Sequence, residues 1–144
     1  MPRLIPIDAL RLDCAATYTV PGVNSRAEAW TAYYRVLLND QPFLPGFFDN
    51  LWSHHAEAEL LVLSGVDPSL TRARLEAGKA DERHLRIVDL GTGQTARCSS
   101  VRGGRFRVDG LVGRTLRYSK VRGSIEAAYE VGLDALDWSK AGMV

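Results

Sequence analysis

The sequence predicts an α+β fold: an extended N-terminal arm, three helices, then an antiparallel β-meander and a C-terminal helix. Three observations carry it. Prolines punctuate the start, at Pro2, Pro6 and Pro21. Apolar residues then recur at helical spacing behind capping signals. From Leu85 onward the pattern changes to short alternating segments broken by glycines, the grammar of strands. The expected division is an arm over 1–23, a helical part over 24–78, a basic β-meander over 85–122 and a helix over 124–138, all in one domain of 144 residues.

Within the arm, Ala16 to Val20 is the expected strand. Ser25 and Glu28 fit a capping box, in which hydroxyl and carboxylate each satisfy an orphan backbone N–H. Trp30, Tyr33, Tyr34 and Leu37 follow at helical spacing, and Asn39-Asp40-Gln41-Pro42 is the stop signal. A second helix is expected from Gly46 to Ser64, its face formed by Phe48, Leu51, Trp52, His55 and Val62. Gly65 suits a left-handed C-terminal cap. Asp67 is placed to cap a third helix that opens on Pro68 and ends at Gly78. The Gly65-Val66 turn resembles that of helix-turn-helix regulators over about twenty residues. Thr71 and Arg74 stand where those motifs place apolar residues, which favours an ordinary αα-corner.

Beyond Leu85, strands are expected near 85–90, 94–101, 105–108 and 111–121. Turns are expected at Gly91-Thr92-Gly93, Gly103-Gly104 and Asp109-Gly110, the last as a hairpin signal. Ser124 caps the expected final helix, with Ile125, Tyr129, Leu133 and Leu136 as its apolar face.

Composition excludes several classes. At 46% hydrophobic and 24% charged residues, the chain has the balance of a globular protein. It lacks an apolar run long enough for a transmembrane helix. The start carries Asp8 and no continuous apolar segment, so no signal peptide is expected and the expected location is the cytoplasm, or the interior of an assembled particle. Cys14 and Cys98 are expected to be buried free thiols.

The stretch IVDLGTG, residues 87–93, resembles the first nucleotide-loop motif of Rossmann-type methyltransferases, with Asp89, Gly91 and Gly93 in place and Thr95 at the third glycine position. It also resembles the DxGT hairpin of the sugar kinase and actin superfamily. Both folds build most of their nucleotide site after this motif, and only about fifty residues follow here. The expectation is therefore a tight turn with Asp89 accepting turn N–H bonds, and no cofactor. His54, His55, Glu57 and Glu59 are the densest set of potential metal ligands, with His84 a conceivable further donor. The set is incomplete, and neither a metal nor a catalytic residue is expected. No nucleophile motif is present.

The charge map is more informative. Residues 96–123 hold eight basic side chains, Arg97, Arg102, Arg105, Arg107, Arg114, Arg117, Lys120 and Arg122, against the single acid Asp109. The segment is strongly positive although the whole chain is +1, so the remainder is net acidic. In R-F-R-V, alternation puts Arg105 and Arg107 on one strand face and Phe106 and Val108 on the other.

Three partners answer such a surface: nucleic-acid phosphates, an acidic protein surface such as a second copy of the chain, or the chain's own Glu126, Glu130, Asp134 and Asp137. The expected function is non-enzymatic binding. Nucleic acid held by Arg105, Arg107, Arg114 and Arg117 is the first reading. A structural or assembly subunit of a homo-oligomeric or viral-type particle, such as a phage capsid or head-to-tail connector component, is the second.

Overall fold

A computed structural model of the chain describes residues 5–19, 30–67, 69–78 and 80–140. The structure is built almost entirely of antiparallel strands. The α+β expectation is overturned: among the described residues the only α-helix is Arg72–Glu76 (α1).

Strands β1 (Leu10–Thr19) and β2 (Trp30–Leu38) pair antiparallel and occupy much of the expected arm and the described part of the expected first helix. The capping box Ser25–Glu28 lies outside the described residues. Aromatic and β-branched residues such as Tyr33, Tyr34 and Val36 fit a pleated surface better than a helix. The stop signal has a different meaning as well. Asn39 and Asp40 both take positive φ, +50 and +63, and join β2 to the short β3 (Gln41–Pro42) as a two-residue hairpin turn.

The expected helix over 46–64 is instead β4 (Phe48–His55), a 3₁₀ turn at Ala56–Ala58 and β5 (Leu60–Val66). Every residue of β5 is buried. A strand covered on both faces reads as a continuous apolar run, which periodicity cannot tell from a buried helix. The third expected helix shrinks to α1, which Thr71 caps by accepting a hydrogen bond from the Arg74 N–H at 3.3 Å. Asp67 caps a turn instead, through the Ser69 N–H at 2.9 Å. Pro68 lies outside the described residues. Because the segment before it is a strand, neither the helix-turn-helix nor the αα-corner exists.

Beyond Leu85 four strands are present, β6 (Glu82–Asp89), β7 (Gln94–Arg102), β8 (Arg105–Val112) and β9 (Thr115–Arg122), but the strand expected over 111–121 is broken after Val112, and its first residues complete β8. The expected C-terminal helix over 124–138 is replaced by β10 (Ile125–Gly132), a 3₁₀ turn at Leu133–Ala135 and the start of β11 (Ser139–Lys140) just beyond.

Two sheets result. The first runs β1-β2-β4-β5-β6-β7-β11, with β3 beside β2; the second runs β10-β9-β8. Alternation along β5 and β6 feeds two separate cores. Leu60, Val62, Leu85 and Ile87 meet Phe106, Leu116, Tyr118 and Leu133 between the sheets. Leu61, Leu63 and Val88 point the other way, onto Ile5, Leu10, Val36 and Phe48. The first sheet therefore folds over its own centre. Strands β2 and β4 share the single registered pair Tyr34↔Phe48. A third cluster, Ala16, Tyr33, Phe47, Val66 and Leu75, seats α1. Among the described residues no helix is long and apolar enough to cross a membrane.

Candidate functional site

The second sheet carries most of the basic segment. Its turns follow from glycine. Gly113-Arg114 and Gly123-Ser124 are two-residue loops whose first residue has φ of +61 and +58, the geometry in which glycine leads the turn. The turn expected at Asp109-Gly110 is a β-bulge within β8: register passes from Val108↔Tyr118 to Gly110↔Arg117 and leaves Asp109 without a partner. D-G serves a bulge because the backbone there also departs from ordinary strand angles, with Gly110 at φ +153.

Alternation sorts the side chains as the R-F-R-V pattern implies. Phe106 is buried against the first sheet while Arg105 and Arg107 are exposed. Across the strands, Val108, Tyr118 and Tyr129 form one row of the inward face. Phe106 and Tyr118 meet edge to face at 6.0 Å, and Tyr118 and Tyr129 stack at 5.6 Å. Lys120 lies over the Tyr129 ring, 4.7 Å from its centre.

On the outward face the positive charge is largely answered by the chain itself. Arg107 donates to Asp109 at 2.8 Å, to Glu126 at 2.9 Å and to the Ser119 hydroxyl at 3.2 Å. Ser119 in turn donates to Asp109. That bond, with help from Arg107, lowers the Asp109 pKa; the bonds to Asp109 and Glu126 raise that of Arg107. Arg117 faces Glu130 at 3.5 Å, and Arg114 pairs with Asp134 at 2.9 Å. Arg102, at the end of β7, pairs with Glu82 at 3.1 Å.

Among the described residues, no ion pair involves Arg97, Arg105 or Arg122. These three do not converge. Arg97 belongs to the first sheet, and Arg105 sits opposite Val121, so it shares a face with Val121 rather than with the adjacent Arg122.

Strand β10 is the feature that sequence reasoning missed. It closes one end of the second sheet and, among the described residues, pairs only with β9. All of Ile125 to Glu130 is exposed, with Ile125 at 70% and Tyr129 at 43%. I-E-A-A-Y-E-V mimics a helix because Ile125 and Tyr129 are four apart and alanine and glutamate favour helices. The available signal was V-R-G-S-I, a glycine-led two-residue turn directly after a strand.

The remaining candidates disperse. The Gly91-Thr92-Gly93 stretch closes the β6–β7 hairpin, and Asp89 accepts from the Gly91 N–H at 2.9 Å and the Thr92 N–H at 3.3 Å. His55 ends β4, with Nε2 3.0 Å from the Ser53 hydroxyl; burial and the neighbouring His54 lower its pKa. Glu59 follows the 3₁₀ turn in a left-handed conformation, φ +54. His55 and Glu59 are therefore not successive turns of one helix. Among the described residues no three His, Cys, Asp or Glu side chains form a group that could hold a metal.

His55, Glu57, Leu111 and Arg114 line an open cleft of about 610 Å³. His84 lies elsewhere, buried on β6 opposite Gly65 and Ser100. Cys98 is half-buried, with burial pushing its thiol pKa up, but Cys14 is exposed, which corrects the expectation of two buried thiols.

Comparison with protein-family models, curated proteins and solved structures finds no match to this chain. Its class is thus defined by its own architecture, an antiparallel two-sheet β protein with a charge-paired outer sheet.

Proposed function

We propose that the chain is a non-enzymatic assembly subunit that binds a protein surface through the β8–β9–β10 sheet. The observation that carries this reading is β10: an eight-residue strand at a sheet end, exposing apolar side chains beside unpaired backbone. Exposed strand edges template further pairing, and natural proteins ordinarily blunt them. The pairing of Arg102, Arg107, Arg114 and Arg117 with the chain's own carboxylates supports the same reading, because those guanidiniums already have partners. A homo-oligomer is the setting such an edge suits.

Nucleic-acid binding stands as the second reading on one observation: Arg105, Arg107 and Arg117 are exposed on the same outward face. Exposed ion pairs are weak enough for phosphates to displace the carboxylates. Two measurements separate the readings. Light scattering over a range of protein concentrations is expected to show association. Anisotropy with generic duplex and single strands at low salt is expected to show none. A monomer at every concentration that binds nucleic acid with steep salt dependence overturns the assembly reading.

A further inference from the structure

We infer that the partner of β10 is β10 of a second copy, joined antiparallel about a two-fold axis through Ala127. This inference rests on the assembly reading above. Four observations lead to it.

First, apart from Glu126 and Glu130 on its outward side, β10 lacks the devices that protect an edge. It has no proline, its pairing with β9 runs unbroken from Ile125↔Arg122 to Gly132↔Thr115, and no charge lies on its inward side. Second, the inward-facing set is Ile125, Ala127, Tyr129 and Val131, which shares its face with Lys120 and Tyr118 by register. Ile125 and Tyr129 stay exposed there because β10 lies beyond the part of the sheet that the first sheet covers. Third, the acids of the outward side, Glu126 and Glu130, are paired with Arg107 and Arg117, so a second copy meets a neutralised edge.

Fourth, the sequence of β10 favours an axis at Ala127 over the adjacent one at Ala128. An axis at Ala127 sets Ile125 opposite the partner's Tyr129, Ala127 opposite its own counterpart and Glu126 opposite the partner's Ala128. Cross-strand pairs of β-branched and aromatic residues are favourable. Moving the axis to Ala128 sets Glu126 opposite the partner's Glu130, and like charges directly opposed are unfavourable. In the Ala127 register every pair joins residues of the same parity. Each such pair shares one face and one hydrogen-bonding orientation. The product is a continuous six-stranded sheet whose two inward apolar strips merge. Twofold pairing is also the commonest symmetry among homo-oligomers.

The test uses the full chain carrying Cys14→Ser and Cys98→Ser, so that added thiols are the only ones. Under mild oxidation Ala127→Cys is expected to form a disulfide dimer in high yield, because opposed Cα atoms in an antiparallel pair lie within disulfide reach. Ala128→Cys is expected to cross-link poorly. Ile125→Glu, at a solvent-exposed position, is expected to leave the circular dichroism spectrum unchanged and raise the dimer Kd about tenfold or more by opposing a charge to the partner's Tyr129.

Preferential trapping of Ala128→Cys overturns the register. A dimer indifferent to Ile125→Glu and untrapped by Ala127→Cys overturns the β10 assignment while leaving the assembly reading in place. A strict monomer overturns both.

Discussion

His84 occupies the space that a side chain on Gly65 would need: a β-carbon built on Gly65 would lie 2.7 Å from His84 Nε2 and 3.1 Å from the Phe48 ring. The two residues are registered neighbours on β5 and β6. The helix cap expected at Gly65 is in fact a cavity for an imidazole. Gly65→Ala is expected to cost about 1 to 3 kcal/mol, the usual range for overpacking a core. Urea unfolding measures it, and a cost near zero would show that the imidazole moves aside freely.

The same burial makes His84 a source of pH dependence. Burial first, then Arg97 and Arg86, lowers its pKa to about 4, against the small opposing effect of Asp67. Between pH 6.5 and 4 the unfolded chain binds a proton that the folded chain refuses. Stability therefore rises with pH through this window, and is lost on acidification by up to about 3 kcal/mol. His84→Gln is expected to flatten the slope in that window. An unchanged slope would assign the acid sensitivity to other groups.

Ser64 is fully buried, and its hydroxyl has no hydrogen-bond partner among the described residues. An unpaired buried hydroxyl carries a desolvation cost that alanine does not. Ser64→Ala is expected to raise stability by about 1 kcal/mol, visible as a higher Tm. A lower Tm would indicate that the hydroxyl is satisfied.

Gly93 has φ +78, with only the Ile5 side chain near a β-carbon built there, at 3.6 Å. The cost of Gly93→Ala is therefore conformational, about 1 kcal/mol. Millimolar ATP, S-adenosylmethionine or NAD is expected to leave the melting temperature of the parent chain unchanged. A shift of several degrees, abolished in Asp89→Ala, would make the turn a cofactor loop.

Asp109 joins Arg107 and Ser119 at the bulge. A double-mutant cycle on Asp109→Ala and Arg107→Ala is expected to give a small favourable coupling that weakens as salt is added. Coupling indistinguishable from zero would mean that the pair contributes nothing to the sheet.

The second half of the fold was more legible in the sequence than the first, for a physical reason. The strands after Leu85 announce themselves because glycine punctuates them: only a residue free to adopt positive φ closes turns such as the one ending at Gly93. Alternation in R-F-R-V also assigns its own faces. β5 carries no such mark. Leu60–Val66 is apolar at nearly every position because it is covered on both sides, and that coverage is a property of the assembled layers.

Asn39-Asp40 and Asp109-Gly110 show the same limit at the scale of two residues. Each tolerates an unusual backbone, and the neighbouring strands decide whether it becomes a hairpin turn or a bulge. For the candidate site, composition alone determined that eight cations cluster between residues 96 and 123. Only the tertiary structure decided which of them face Glu126, Glu130 and Asp134, because ion pairs depend on register between strands rather than on spacing along the chain. It also decided that Ile125–Gly132 is an open strand edge, since alternation over Ile125, Ala127 and Tyr129 coincides with helical spacing until β9 supplies the hydrogen bonds.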